Sequence, residues 1–184
     1  MKTQALLRMF QICDSLFPIG TYTLSNGLET FIAEGIVSDE KSLGEYVRHY
    51  LEVLPYNDTG VMLLAYKNAG NPGYQSRLDA IAGAMKGPRE VREGSRRLCR
   101  RFLKLWEQID GRKNTPLHRY KEQIDAGVCK GNYAQAAGLY SRMQEVPQDE
   151  AASAYTYSIL SAVVTNAVKM VPLSQISGQR ILYE

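Results

Sequence analysis

Asp149-Glu150-Ala151-Ala152-Ser153-Ala154-Tyr155-Thr156-Tyr157-Ser158-Ile159-Leu160-Ser161-Ala162-Val163-Val164-Thr165-Asn166-Ala167-Val168-Lys169-Met170-Val171 is the stretch that decides the fold. Its Ala, Tyr, Ile, Leu, Val and Met residues fall on nearly every side of a helix. A helix that is apolar all round belongs in the middle of a bundle. Pro172 ends it, because proline lacks the backbone N–H that a further turn requires.

Working outward, helical periodicity recurs and no apolar–polar alternation is sustained long enough for a strand. A helix is expected from about Tyr133 to Met143. Thr115-Pro116 supplies an N-cap followed by proline at the first helical position, and Leu117, Tyr120, Ile124 and Val128 continue that helix until Gly131. Arg89 to about Ile109 reads as a long amphipathic helix with Val91, Leu98, Phe102 and Leu105 or Trp106 inward. Gly70-Asn71-Pro72-Gly73 is a turn, and the helix after it carries Leu78, Ile81, Ala82 and Met85. Leu43, Val47, Tyr50, Leu51 and Leu54 form the stripe of a helix capped by Ser38 or Asp39 and interrupted at Pro55. Nearer the start, Leu6, Leu7, Met9, Phe10 and Cys13 fit one face of a first helix. A short second helix opens near Ser25 or Asn26, where Asn26 and Glu29 have capping-box spacing, and ends near Gly35. The expectation is an all-α, single-domain helical bundle over residues 1–184, with a central apolar helix near the C-terminus.

The 184 residues suffice to bury a core without disulfides or metal staples. Cys13, Cys99 and Cys129 are odd in number, widely spaced and form no CxxC pair, which excludes a secreted disulfide framework or a zinc ribbon and points to a reducing, cytoplasmic location. No apolar run is long enough for a signal segment or a membrane span. A net charge of +3 does not describe a general nucleic-acid binder.

Catalytic constellations are missing. His49 and His118 stand apart and outside HExxH, so no metal ligand set is expected. There is no GxxxxGK[ST], no GxGxxG and no GxSxG. These failures point away from an enzyme and toward a protein that works by binding. The strongest charge feature is Arg89, Arg92, Arg96, Arg97, Arg100, Arg101 and Lys104, spaced by three and four. It reads first as a solvated helix face and second as a dock for an acidic partner. The sharper alternative is a basic helical RNA-binding module, although no aromatic platform accompanies the arginines.

Two segments are too particular for packing alone: Phe17-Pro18-Ile19-Gly20-Thr21-Tyr22-Thr23-Leu24-Ser25-Asn26-Gly27-Leu28-Glu29, and Asn166-Ala167-Val168-Lys169-Met170-Val171-Pro172-Leu173-Ser174-Gln175 followed by Gly178-Gln179-Arg180. In order, and with the arginine-bearing stretch from Arg89 to Trp106 between them, they resemble the urease accessory protein family UreF. The chain departs from the family pattern at Thr21, Asn26 and Ser174. It also lacks a histidine near Asn132-Tyr133, and it stops at Glu184 where family members usually continue into a further helix and tail.

The resemblance implies a non-catalytic, cytoplasmic, homodimeric helical bundle. Such a protein binds UreD (also called UreH), recruits the GTPase UreG and supports nickel insertion into apo-urease, with a possible influence on the GTPase cycle. Nickel and GTP are expected on the partners and no cofactor on this chain; neither membrane nor nucleic acid is expected as a partner. A direct nickel chaperone is the third reading, and the scarcity of histidine argues against it. The resemblance places partner contacts at Tyr22, Ser25, Glu29, Lys169, Gln175, Gln179 and Arg180. Pro18 and Gly20 are read as turn-formers, and Gly27 as a point of close packing.

Overall fold

Five helices begin at side chains whose oxygen accepts one of the backbone N–H groups that a helix start leaves without a partner. Asp39 accepts from Ser42 N at 2.8 Å, and the Ser42 hydroxyl answers at the Asp39 N–H to complete a capping box. Asn71, Thr115, Asn132 and Ser174 do the same for Tyr74, His118, Gln135 and Ser177. In the computed structural model, which describes residues 3–21 and 27–184, the helices are α1 (Thr3–Cys13), α2 (Leu28–Ala33), α3 (Glu40–Val53), α4 (Asp58–Lys67), α5 (Pro72–Met85), α6 (Arg89–Ile109), α7 (Pro116–Asp125), α8 (Tyr133–Met143), α9 (Gln148–Met170) and α10 (Gln175–Tyr183). A short 3-10 turn, Leu54–Tyr56, joins α3 to α4 around Pro55. No strand occurs among the described residues, so the fold is all-α.

Two apolar cores form. The larger gathers α1, α4, α5, α6, α7 and α8 around Met9, Met62, Leu98, Phe102, Trp106, Leu117, Tyr120 and Leu139, and takes in Ala151 and Tyr155 from the start of α9. The smaller consists of Leu28, Val37, Leu43, Val47, Val163, Val164, Ala167, Val168 and Val171. α9 runs from one to the other and packs against α1, α2, α3, α4, α8 and α10, which makes it the central helix that its sequence implies. Its circumference is not wholly enclosed, since Ser153, Tyr157, Thr165, Lys169 and Met170 face outward.

The most enclosed helix is α8, where every residue from Tyr133 to Ser141 is buried. Small side chains permit this: a Cβ on Gly138 would lie 2.2 Å from the carbonyl oxygen of Met62 on α4, so the two backbones touch. Two of its polar groups find partners inside, while Gln135 Oε1 is buried without one among the described residues. Gln135 Nε2 donates to the Gln75 backbone oxygen at 2.8 Å and to Gln75 Oε1 at 2.9 Å, and Ser141 Oγ donates to Ala137 O.

Four local expectations are corrected. In α1 the buried positions are Ala5, Met9 and Ile12, while Leu7 and Phe10 are exposed, because the helix turns its Ala5 face to the bundle. Leu51, Ile81 and Met85 are likewise exposed on α3 and α5. α7 stops at Asp125, with Gly127 left-handed at φ 77°, leaving Val128 exposed beyond it. α2 starts at Gly27 with no side-chain cap; Asn26, the expected capping residue, lies outside the described residues.

The cysteines are thiols held in apolar surroundings. Burial pushes Cys13 up to about 11 and Cys129 up to about 12, and raises Cys99 further still. The thiolate is the reactive form, so native protein at neutral pH should react slowly with Ellman's reagent and release all three thiols only when denatured. A fast-reacting equivalent in the native state would contradict this.

Candidate partner-binding site

The two distinctive segments, far apart in sequence, meet in the smaller core through Leu28, while Phe17 and Ile19 of the first are buried in the larger one. Leu28 from the first is fully buried alongside Ala167, Val168 and Val171 from the second. Gly27 precedes Leu28 with φ 95°, a left-handed conformation that favours glycine. A Cβ there would meet nothing, so its value is conformational, and the expected role in close packing is not what the structure shows. Close packing falls instead to Gly178. A Cβ at that position would sit 2.9 Å from Val168 Cγ2 and 3.1 Å from Val164 Cγ1, so glycine lets α10 lie directly on α9. Gly20, with φ 85°, lies in the turn region after α1 that Pro18 and Gly20 were expected to shape.

From this apolar base, polar residues project outward. Glu29 lies exposed in the first turn of α2, and Lys169 lies exposed in the last turn of α9, each at the helix end whose dipole suits its charge. They form no ion pair with each other. Gln175 and Gln179 are exposed on α10 and have no hydrogen-bond partner among the described residues. Arg180 approaches Glu40 at 3.9 Å with both side chains largely in water, a contact worth little to stability. Gln179 and Arg180 line an open recess with Tyr157, Ile176, Leu182 and Tyr183. Tyr22 and Ser25 lie outside the described residues.

The sequence matches the UreF family over residues 37–184, the greater part of the chain, and includes the second of the two segments. The chain belongs to the UreF family. It is 34% identical over 182 residues to the "Urease accessory protein UreF" of Lachnoclostridium phytofermentans, covering 97% of this chain and 79% of that protein. It is 35% identical over 179 residues to the protein of the same name from Actinobacillus pleuropneumoniae, covering 95% and 78%. A third, from Haemophilus influenzae, is 32% identical over 179 residues, covering 96% and 75%.

Two of the departures noted in the sequence fall at helix caps, while Asn26 lies outside the described residues. Ser174, where glycine is more usual, is the N-cap of α10, and its hydroxyl accepts from Ser177 N at 3.0 Å. Asn132, in the region where many members carry histidine, is buried and caps α8.

Sequence reading did not single out Ile176, Tyr183 and Tyr157, which are exposed beside the motif residues at 65%, 94% and 55%. Ile176, Gln179, Arg180 and Tyr183 follow the i, i+3, i+4, i+7 spacing of one helix face, a signal present in the chain once α10 is recognised as a helix. Exposed tyrosine and isoleucine beside arginine have the composition of an interface anchor.

Two buried polar junctions were also missed. Asp79 accepts from Tyr120 Oη at 2.6 Å, Lys130 N at 2.7 Å and Gly131 N at 3.0 Å. Lys86 Nζ, almost fully buried, donates to both oxygens of Asp58 at 2.7 and 2.9 Å and so ties the end of α5 to the start of α4. The His118 Nδ1–Glu122 separation is 3.6 Å and the His49–Glu52 separation 3.4 Å, both within single helices. No group of three or more metal-ligating side chains comes together among the described residues. None of the described helices is long and apolar enough to cross a membrane.

Proposed function

We propose that this chain acts in urease maturation as a non-catalytic scaffold. It binds UreD (UreH) and recruits UreG, so that nickel reaches apo-urease while nickel and GTP are held by the partners. It works in the cytoplasm as a homodimer. The observation that supports this reading is the meeting of Leu28, at the end of the first family segment, with Ala167, Val168 and Val171 of the second in one small core, around which Glu29, Lys169, Gln175, Gln179 and Arg180 are exposed. A scaffold needs only a difference in affinity between partner states, and by linkage that difference can also bias a GTPase cycle.

The experiment is co-expression with UreD, UreG and apo-urease, with partner retention and urease activity as readouts. Retention of both accessory proteins and nickel-dependent activation are expected; a chain that retains neither would end the reading. Within this assay, Glu29→Ala or Lys169→Ala should lower activation several-fold with an unchanged melting temperature, since both side chains are exposed and bonded to nothing among the described residues. Full activation by both variants would remove these residues from the site.

A further inference from the structure

The solvent face of α6 carries a charge that the smaller core does not account for. Of the seven cations in its sequence stripe, three have internal work. Arg92 Nη1 donates to the carbonyls of Lys86 and Gly87, Arg96 Nη1 pairs with Glu93 at 2.6 Å, and Arg101 Nη1 donates to Ile19 O at 3.2 Å. Arg97, Arg100 and Lys104 are exposed, lie on one face with Arg101, and have no ion-pair partner among the described residues. The acids that bracket them are drawn elsewhere. Glu93 is held by Arg96, and Glu107 lies 3.7 Å from Lys113 and 3.5 Å from Lys121. Four cations therefore stand together over about 10 Å of helix, at about 1.5 Å per residue, and the neighbouring carboxylates do not neutralise them.

We propose that Arg97, Arg100, Arg101 and Lys104 form a docking surface for an acidic segment of a protein partner, a second contact of the scaffold beyond the one already assigned. This assignment rests on the scaffold reading for its biological setting but not for its physics. Three features favour a protein carboxylate surface over a polyanionic nucleic acid. The patch is short and the chain's net charge is only +3, so no broad positive field surrounds it. No exposed aromatic side chain of α6 accompanies the cations to stack on bases. Three of the four are arginines, whose planar fork pairs bidentately with carboxylates. The hydrogen bond from Arg101 to Ile19 O also fixes the patch beside the start of the first family segment, so one partner can span both.

The test compares wild type with Arg97→Glu/Arg100→Glu/Lys104→Glu and with the corresponding glutamine triple variant. Arg101 is left intact because it holds the turn. Circular dichroism and thermal melting should be unchanged, since all three side chains are exposed. Three readouts follow: retention of the co-expressed accessory proteins and apo-urease at low and high salt, anisotropy of a labelled helical peptide bearing a run of glutamates, and gel shift of a single-stranded RNA oligonucleotide. The glutamate triple should weaken both peptide binding and retention of one partner by about tenfold or more, with the glutamine triple intermediate and the wild-type interaction weakening as salt rises. Equal retention by wild type and variants would overturn the docking surface while leaving the scaffold reading intact. Strip-dependent peptide binding without any retained partner would sustain the surface and overturn the scaffold reading. RNA binding that exceeds peptide binding, or binding of neither probe, would overturn the docking surface.

Discussion

Replacing Gly138 by alanine should destabilise this protein by about 2 kcal/mol or more, although the same change in most helices stabilises. Removing glycine from a helix interior ordinarily gains roughly 0.5–1 kcal/mol, because alanine has less backbone freedom to lose. At Gly138 the added methyl would sit 2.2 Å from Met62 O and 3.1 Å from Ala65 Cβ. The obstacle is backbone on a neighbouring helix, not the tip of a flexible side chain, so relief requires α4 and α8 to separate along the middle of the larger core. The matched control is Gly83, on α5, where an added Cβ meets nothing within 4 Å. Gly83→Ala should raise stability by about 0.5–1 kcal/mol. Chemical denaturation of the two variants reads opposite signs; stabilisation by Gly138→Ala would refute the close approach of α4 and α8.

Asp79→Ala should be of similar or larger effect, about 3–5 kcal/mol, lowering the melting temperature by on the order of 10 °C for a chain of this size. The carboxylate is buried and accepts three hydrogen bonds, two of them from the backbone N–H groups of Lys130 and Gly131. Those amides belong to the link between α7 and α8, and Asp79 is what aims the chain into the most buried helix. Truncation leaves the two amides and the Tyr120 hydroxyl without their acceptor. Tyr120 Oη also accepts from Asn132 N at 2.9 Å, so the loss reaches the α8 cap. Burial holds the Tyr120 phenol in its neutral form by raising it well above its ordinary range, so its proton remains available to Asp79 across the neutral and mildly alkaline range. Tyr120→Phe removes one of the three donors and should cost less, about 1–2 kcal/mol. An Asp79→Ala protein as stable as wild type would show that the junction is dispensable.

Most helices and their order were legible in the chain where a cap residue or a proline marked a boundary, although α10 was not read as a helix despite its Ser174 cap just after Pro172. α6, α8 and α9 begin and end within a residue or so of where Arg89, Tyr133 and Pro172 place them. Face was less legible than existence. Leu7 and Phe10 satisfied a helical period in α1, yet the bundle chose Ala5, Met9 and Ile12, because close approach rewards a small residue that a hydrophobicity pattern undervalues. The same bias hid the burial of α8, not its existence: Tyr-Ala-Gln-Ala-Ala-Gly-Leu-Tyr-Ser is only moderately apolar, but its small side chains admit neighbours closely enough to bury all of it. The family segments were recognisable in the sequence, while their meeting at Leu28 and Val168 required the structure, since nothing local encodes a contact between residues so far apart. Asp79 and Lys86 gave no sequence signal, because a buried charge is identified by its partners and those partners come from other helices.

The passage of α9 from the larger core into the smaller gives the molecule uneven resistance to opening. The smaller core has fewer buried side chains and is closed by two short helices, the six-residue α2 and the nine-residue α10, so it can come apart while the larger core stays folded. Amide protons around Val163 to Val171 should therefore exchange with deuterium through sub-global opening, ahead of those in α8, even though they lie on one continuous helix with protected amides near Tyr155. A partner that grips Glu29, Lys169 and the outer face of α10 would have to close that fluctuation, and its arrival would be written as slowed exchange in the second half of α9. On this view the face that carries the family's signature is the part of the fold least able to hold its shape alone.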